Sequence, residues 1–258
     1  RSATLLVTLD CGTTSGDALA EAKKLGLDAI VIDHHQAPER LPLVTALVNP
    51  NREDDLSKLG YLAAVGVTFL LAAALVRELR KRGFWSDARP EPDLLRLLDL
   101  VALGTVADVV PLRGLNRALV SKGLLAMRAR ENIGMRALMD VSRMADPPNP
   151  FHLGFLLGPR INAGGRIGDA TLGTKLLVTD DPAEAAAIAA KLDRLNDERR
   201  EMEHETLLQA EAEALASFGH DEKGAIVLVS GEGWHPGVVG LVAARLKERF
   251  GRPAFAIA

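Results

Sequence analysis

Two short apolar runs, Leu5-Leu6-Val7-Thr8-Leu9 and Leu27-Asp28-Ala29-Ile30-Val31-Ile32, lie one helix length apart. Both are too short for buried helices and carry β-branched residues; the first reads as a strand over 4–10 at the exposed start of the chain, the second as a buried strand of a parallel sheet. Between them, Ser15 is placed to cap a helix over 15–25 and Gly26 to stop it. The spacing therefore predicts a β-α-β unit, which confines the chain to an α/β fold with parallel strands. A short third strand, Thr45 to Val48, is broken by Asn49-Pro50-Asn51.

The residues that end these runs carry the chemistry. Asp10 closes the first and Asp33-His34-His35 the second. Open α/β sheets place their ligand sites at the carboxyl ends of strands. A lone Asp there is usually a cap or turn former, and adjacent histidines on a surface loop are often incidental. Here two neighbouring strand ends bring carboxylate and imidazole together, which makes a candidate divalent-metal site. A third carboxylate, Asp108, follows the apolar stretch 93–103 within Gly104-Thr105-Val106-Ala107-Asp108-Val109-Val110-Pro111, as a cap or a ligand. Two ions about 3.5–4 Å apart clamp a phosphoryl group through shared carboxylates. Mn²⁺ or Mg²⁺ suits such a donor set better than Zn²⁺. Asp10, His34 and Asp108 are too few for two ions, so the remaining ligands are expected upstream of Arg1.

Beyond the first unit the pattern turns helical, over 62–79, 93–103, 116–129 and 134–142. Asp146-Pro147-Pro148-Asn149-Pro150 is a breaker. The segment after it, Phe151 to Asp169, is rich in Gly and basic residues, and Arg160 and Arg166 flank a predicted Gly-rich turn. Guanidinium groups beside flexible backbone suit phosphate, the alternative being a structural loop with surface salt bridges. Asn162 is a turn former or a substrate contact. A long helix is expected from Pro182 to Phe218. Its middle, Asn196 to Glu205, is almost entirely polar and predicts a solvated bridge between domains, with Arg194, Arg199 and Arg200 facing water. After Gly219 a β-α-β pattern restarts, with strands over 225–229 and 253–257 around a helix near 238–250. The domain reading is thus 1–180, a connecting helix 181–218, and the start of a second domain at 219–258. His235-Pro236-Gly237 opens the last helix, whose free N–H groups suit a phosphate. Trp234 is a base-stacking surface or a hydrophobic anchor. His152, His204 and His220 read as structural or surface residues.

Composition narrows the function. Lys and Arg number 31 against 34 Asp and Glu, a net charge of −3, which argues against indiscriminate polyanion binding but leaves room for a local basic cleft. No apolar stretch reaches the length of a membrane span, and no signal segment opens the chain. Cys11 is the single cysteine, which excludes an internal disulfide, fits a reducing cytosol, and reads as small buried filler. A start at Arg1-Ser2 and an apolar end at Pro253–Ala258 point to a piece of a longer protein.

The ordered motifs Val7–Gly12, Asp33-His34-His35, Gly104–Leu112, Gly158-Pro159-Arg160-Ile161-Asn162-Ala163-Gly164-Gly165-Arg166 and Gly233-Trp234-His235-Pro236-Gly237-Val238-Val239-Gly240 resemble the DHH phosphoesterase superfamily. More narrowly they resemble its RecJ family of single-strand-specific DNA exonucleases. The resemblance implies an α/β, parallel-sheet DHH domain with many helices, a long connecting helix, and the start of a second α/β accessory domain. It implies metal-dependent 5′→3′ hydrolysis of single-stranded DNA in repair and recombination, in the cytoplasm, with a single-strand-binding protein or helicase as partner and no membrane association. By the resemblance Asp10 is a bridging metal ligand, and His34 and Asp108 are terminal ligands. His35 contacts the scissile phosphate, Asp33 orients the histidines, and Arg160, Asn162, Arg166, His235 and Gly237 bind substrate. The family's Asp-x-Asp motif falls before Arg1 and its glycine- and histidine-rich motif after Ala258, so the chain alone is expected to be an impaired nuclease. Two rivals remain: a DHH enzyme for short oligonucleotides or cyclic dinucleotides, and a non-catalytic DHH scaffold of replication. The Gly158–Arg166 and Gly233–Gly240 motifs speak against the first; Asp10, Asp33, His34, His35 and Asp108 speak against the second.

Overall fold

The structure is a computed structural model that describes residues 2–218 and 224–258; Gly219 and His220 lie outside the described residues. In chain order the elements are β1 (Leu5–Leu9), α1 (Gly16–Lys24), β2 (Asp28–Ile32), β3 (Ala46–Val48), α2 (Ala64–Lys81), α3 (Leu98–Ala107), α4 (Gly114–Arg128), α5 (Ile133–Val141), α6 (Gly158–Ile167), α7 (Thr171–Val178), α8 (Pro182–Phe218), β4 (Val227–Ser230), α9 (Pro236–Phe250) and β5 (Ala254–Ile257). A 3₁₀ turn at Leu94–Leu97 leads into α3, and a π-helical stretch at His152–Leu157 leads into α6. Among the described residues no helix is long and apolar enough to cross a membrane. The chain divides into two compact units, residues 1–131 with 146–158, and residues 132–145 with 159–258.

The first unit is built on a parallel sheet in the order β1-β2-β3. Leu9 pairs with Ile32, and Ile32 in turn with Val48. Val31 and Ile32 on the central strand are fully buried, and Leu19 of α1 packs with Ala29 and Val31. In edge strand β1, Leu5, Val7 and Leu9 are each about half exposed, because a strand paired on one side only lacks a neighbour to cover it. Around the sheet, α3 and α4 approach closely at Gly123, where a Cβ would sit 2.1 Å from the Leu98 carbonyl oxygen.

In the second unit the segment expected to be a Gly-rich turn is a helix, α6. Its glycines serve contact rather than bending. A Cβ on Gly164 would lie 3.2 Å from Leu192 of α8, and one on the following Gly168 would lie 2.8 Å from Leu195. The polar middle of α8 is likewise only partly solvated. Asn196 is buried, and Arg199 donates to Glu203 at 2.5 Å and to Asn196 at 2.9 Å. Pairing is what permits a guanidinium to leave water there; Arg194 and Arg200 remain exposed, as the sequence reading has them. Parallel strands β4 and β5 with α9 form a small core around Val227, Val229, Val242 and Leu246. Trp234 belongs to this core at 8% exposure, with its indole N–H on Gln209 at 2.8 Å, so it is the hydrophobic anchor of its two readings.

Candidate metal centre

Strand register assembles the site. Since Leu9 pairs with Ile32, the next residues, Asp10 and Asp33, emerge side by side from one sheet edge. The Asp10 N–H still donates to the Ile32 carbonyl at 2.9 Å, and then the chain turns with Asp10 at φ 64° and Gly12 at φ 117°. Asp tolerates this left-handed region better than most residues. The turn brings Cys11 to the surface, against the buried role expected for it. Asp108 arrives from the other side as the residue that ends α3, followed by Val109 at φ 59°. A β-branched residue in that region is strained, and it reverses the chain directly after the carboxylate.

Asp33 is the buried hub, 2% exposed. Its Oδ2 accepts from the Thr13 N–H at 3.0 Å, and its Oδ1 from the His34 N–H at 2.8 Å and from His35 Nδ1 at 2.7 Å. Burial opposes its ionisation, but the hydrogen bonds from Thr13 and His35 outweigh burial and hold the carboxyl far below the usual range. The hydrogen bond to Asp33 is in turn the main cause that raises His35 above its ordinary 6.5. With Nδ1–H directed at Asp33, the exposed His35 turns its other nitrogen elsewhere.

His34 makes the opposite use of its ring. Its Nδ1 lies 3.0 Å from the Leu62 carbonyl, which can only accept, so Nδ1 carries the hydrogen and Nε2 is the ring atom left to bind a metal. That Nε2 lies 3.3 Å from Asp10 Oδ1 and 3.4 Å from Asp108 Oδ2, yet it is buried without a hydrogen-bond partner. Burial, and after it the charge of Asp10, raises the pKa of Asp108, against the opposing pull of His34. Two carboxylate oxygens gathered on an orphaned imidazole nitrogen fit a divalent cation: octahedral ligands near 2.1 Å from an ion lie about 3 Å from one another. Donor atoms of Asp10, His34 and His35 also fall within 4.8 Å of one another. A cleft of about 280 Å³ opens here, lined by Asp10, Asp108, Ala64, Thr68 and Gly104.

Several supporting residues escape the sequence reading. Asn49 Nδ2 donates to Thr13 Oγ1 and to the His35 carbonyl, both at 2.9 Å, and Asn51 Nδ2 donates to the His34 carbonyl at 2.5 Å. Asn49-Pro50-Asn51 thus holds the histidine loop as well as ending β3; two amides beside a strand end at the same sheet edge were the available signal. Asn116, fully buried, donates to the Tyr61 carbonyl at 2.7 Å and to the Pro111 carbonyl at 3.1 Å. It ties the segment before Leu62, which holds His34, to the loop after Asp108.

The proposed substrate residues form their own group in the second unit. Arg160, largely buried, directs Nε to Asp193 at 2.8 Å. Arg166 and Asn162 are exposed, and Arg166 Nη1 donates to the Gly237 carbonyl at 3.2 Å. Gly237 packs so closely that a Cβ would sit 2.1 Å from the Arg166 carbonyl oxygen. The start of α9 has fewer free donors than its sequence implies: Pro236 has no N–H, Gly237 donates to His235 Nδ1 and Val238 to the His235 carbonyl.

His35 gives a direct check on this geometry. In metal-free protein its imidazole is expected to titrate above 6.5 by NMR, and Asp33→Asn to bring that value down, because the cation loses its anionic partner. A wild-type value at or below 6.5 would mean that the Asp33–His35 bond is absent in solution.

The chain is similar to known proteins over its whole length. Residues 2–105 match the DHH family, N-terminal domain. The whole chain is 45% identical to the single-stranded-DNA-specific exonuclease RecJ of Salmonella typhimurium strain LT2, and spans 45% of that protein. A crystal structure of exonuclease RecJ bound to manganese superposes with a TM-score of 0.83 at 36% identity, over 99% of this chain and 61% of that one. RecJ from Thermus thermophilus in complex with Mg²⁺ gives 0.70 at 31% identity, over 99% of this chain and 34% of that one. The chain therefore spans about half the length of the curated relatives it matches, and by the family match over residues 2–105 and the likeness of the whole chain to RecJ proteins it belongs to the DHH family, on the RecJ branch.

Proposed function

We propose that this chain carries the metal-binding core of a single-stranded-DNA exonuclease that hydrolyses phosphodiester bonds with Mn²⁺ or Mg²⁺. The observation that supports this best is the orphaned His34 Nε2 set between Asp10 and Asp108. A bound divalent ion supplies positive charge for the phosphoryl oxygens and acidity for a water. Asp10, His34 and Asp108 hold it, and further ligands are needed for a second ion. Asp33 fixes the His35 imidazole and the His34 backbone N–H, while the Leu62 carbonyl fixes the His34 ring. His35, its basicity raised by Asp33, is suited to donate a proton or hydrogen bond to a phosphoryl oxygen. The 5′→3′ direction, a role in repair and recombination, a helicase or single-strand-binding partner and a cytoplasmic setting rest on likeness to RecJ. The division into a DHH domain, a connecting helix and an accessory domain is part of the same reading. The test is release of nucleotides from 5′-labelled single-stranded and duplex oligonucleotides by the gene product that carries this chain. Hydrolysis restricted to the single strand and to Mn²⁺ or Mg²⁺ is expected; metal-independent or duplex-selective cleavage would overturn the reading.

The arginines divide the work of substrate contact. Arg160 is committed to Asp193, whereas exposed Arg166 has room for a phosphate. Each phosphate neutralised on a single strand contributes about −0.7 to the salt slope. Arg166→Ala is thus expected to flatten a plot of log affinity against log salt by about 0.7, and Arg160→Ala to act on thermal stability instead. An unchanged slope for Arg166→Ala would make this arginine purely architectural.

A further inference from the structure

Phe151, directly before the π-helical stretch that leads into α6, and Phe155, within it, are two phenylalanines that the core does not use. Leu153 and Leu157 are fully buried, whereas Phe151 and Phe155 are 59% and 69% exposed. Their rings lie one turn apart with centroids 4.9 Å apart and planes at 24°, a stacked pair standing in solvent. The same stretch is seated on the last turn of α3, which ends at Asp108. A Cβ on Gly154 would touch Val106 at 3.4 Å, and one on Gly158 would meet Ala107 at 3.3 Å. The stack therefore rises from the support of a metal-site carboxylate.

We propose that Phe151 and Phe155 form a base-stacking platform that receives unpaired nucleobases of the strand whose phosphate lies at Asp10, His34 and Asp108. The proposal rests on the single-strand reading above. Uncharged ring faces cannot hold phosphate, but they match the π face that every base presents, so the contact is tolerant of sequence. In a duplex that face is covered by the neighbouring base pairs. A platform of this kind selects single strands without reading base edges. Neither ring is in the core, so both can be exchanged without opening a cavity.

The test is fluorescence anisotropy with a 3′-labelled single-stranded oligonucleotide, with Ca²⁺ in place of Mn²⁺, against the same strand made abasic. A Phe151→Leu/Phe155→Leu double variant keeps apolar bulk and loses the aromatic faces. It is expected to bind the ordinary strand at least about tenfold more weakly and the abasic strand as wild type does. Phe151→Trp/Phe155→Trp is expected to retain affinity for the ordinary strand. Equal affinity of wild type and the Leu variant for the ordinary strand overturns the platform, as does an equal loss on both strands. A wild type that sediments as a dimer, with a monomeric Leu variant, also overturns it, because the stack is then a self-association surface. If wild type binds the single strand no better than duplex, the single-strand reading itself falls, and that outcome is distinct from all the others.

Discussion

Asp10→Asn is expected to remove the stabilisation that Mn²⁺ gives the protein and to abolish metal-dependent hydrolysis, while leaving the metal-free fold intact. A ligand that binds only the folded state stabilises it by about 2.7 kcal/mol at a hundred times its dissociation constant. Wild type in Mn²⁺ is therefore expected to unfold several degrees above its metal-free midpoint, and the variant to show no such rise. Loss of an outer partner already costs about 10–100-fold in affinity or activity, and loss of a direct ligand is expected to exceed that. The Asn variant is preferable to Ala. Residue 10 sits at φ 64°, where Asn is tolerated and Ala carries about 1 kcal/mol of strain. The side chain is 60% exposed, so its substitution opens no cavity, and Asp108 loses a neighbouring charge that raises its pKa. A Mn²⁺-induced rise equal to that of wild type would remove Asp10 from the ligand set.

The site is legible where chemistry coincides with strand ends. Leu5–Leu9 and Leu27–Ile32 stand out by length and branching, and in a parallel pair the residues that follow both runs must emerge at one edge. Asp108 is visible only as a carboxylate after an apolar helix; that it meets His34 depends on α3 packing against α2, which itself lies on the sheet, and no local pattern encodes that. The misreadings share one cause. Gly164 and Gly165 look like turn formers because glycine signals either conformational freedom or absence of bulk, and here Gly164 provides a flat surface for Leu192. Which of the two readings of Arg160 holds, phosphate contact or salt bridge, is not legible locally, because Asp193, its partner, lies 33 residues away on another helix. The polar run of α8 looks wholly solvated because a half-buried Arg199–Glu203 pair has the same sequence as an exposed one. Asn49 and Asn51 read as punctuation alone, although their amides anchor the histidine loop.

Asp33→Asn is expected to cost the metal-free protein about 3 kcal/mol, a large share of ordinary domain stability, and to weaken metal binding without removing a ligand. All the named partners of Asp33 are donors: the N–H groups of Thr13 and His34, and Nδ1 of His35. An amide turns its own NH₂ toward one of them, so a buried donor faces a donor and neither is satisfied. Thr13 and residue 33 are 1% and 2% exposed, so water cannot repair the mismatch. The pH dependence follows from the two shifted groups. Asp33 has a depressed folded pKa; its contribution is fully present above the ordinary 3.8 and is lost as pH falls through the lower folded value. His35 has a raised folded pKa; its contribution is fully present below the ordinary 6.5 and is lost as pH rises through the higher folded value. The stability gap between wild type and Asp33→Asn is therefore expected to be widest between these two ordinary values and to narrow above neutral pH. Urea unfolding at a series of pH values without divalent ions measures it. A gap that stays constant from acid to alkaline pH would mean that His35 contributes nothing through Asp33, and that the carboxylate acts on the backbone of the loop alone.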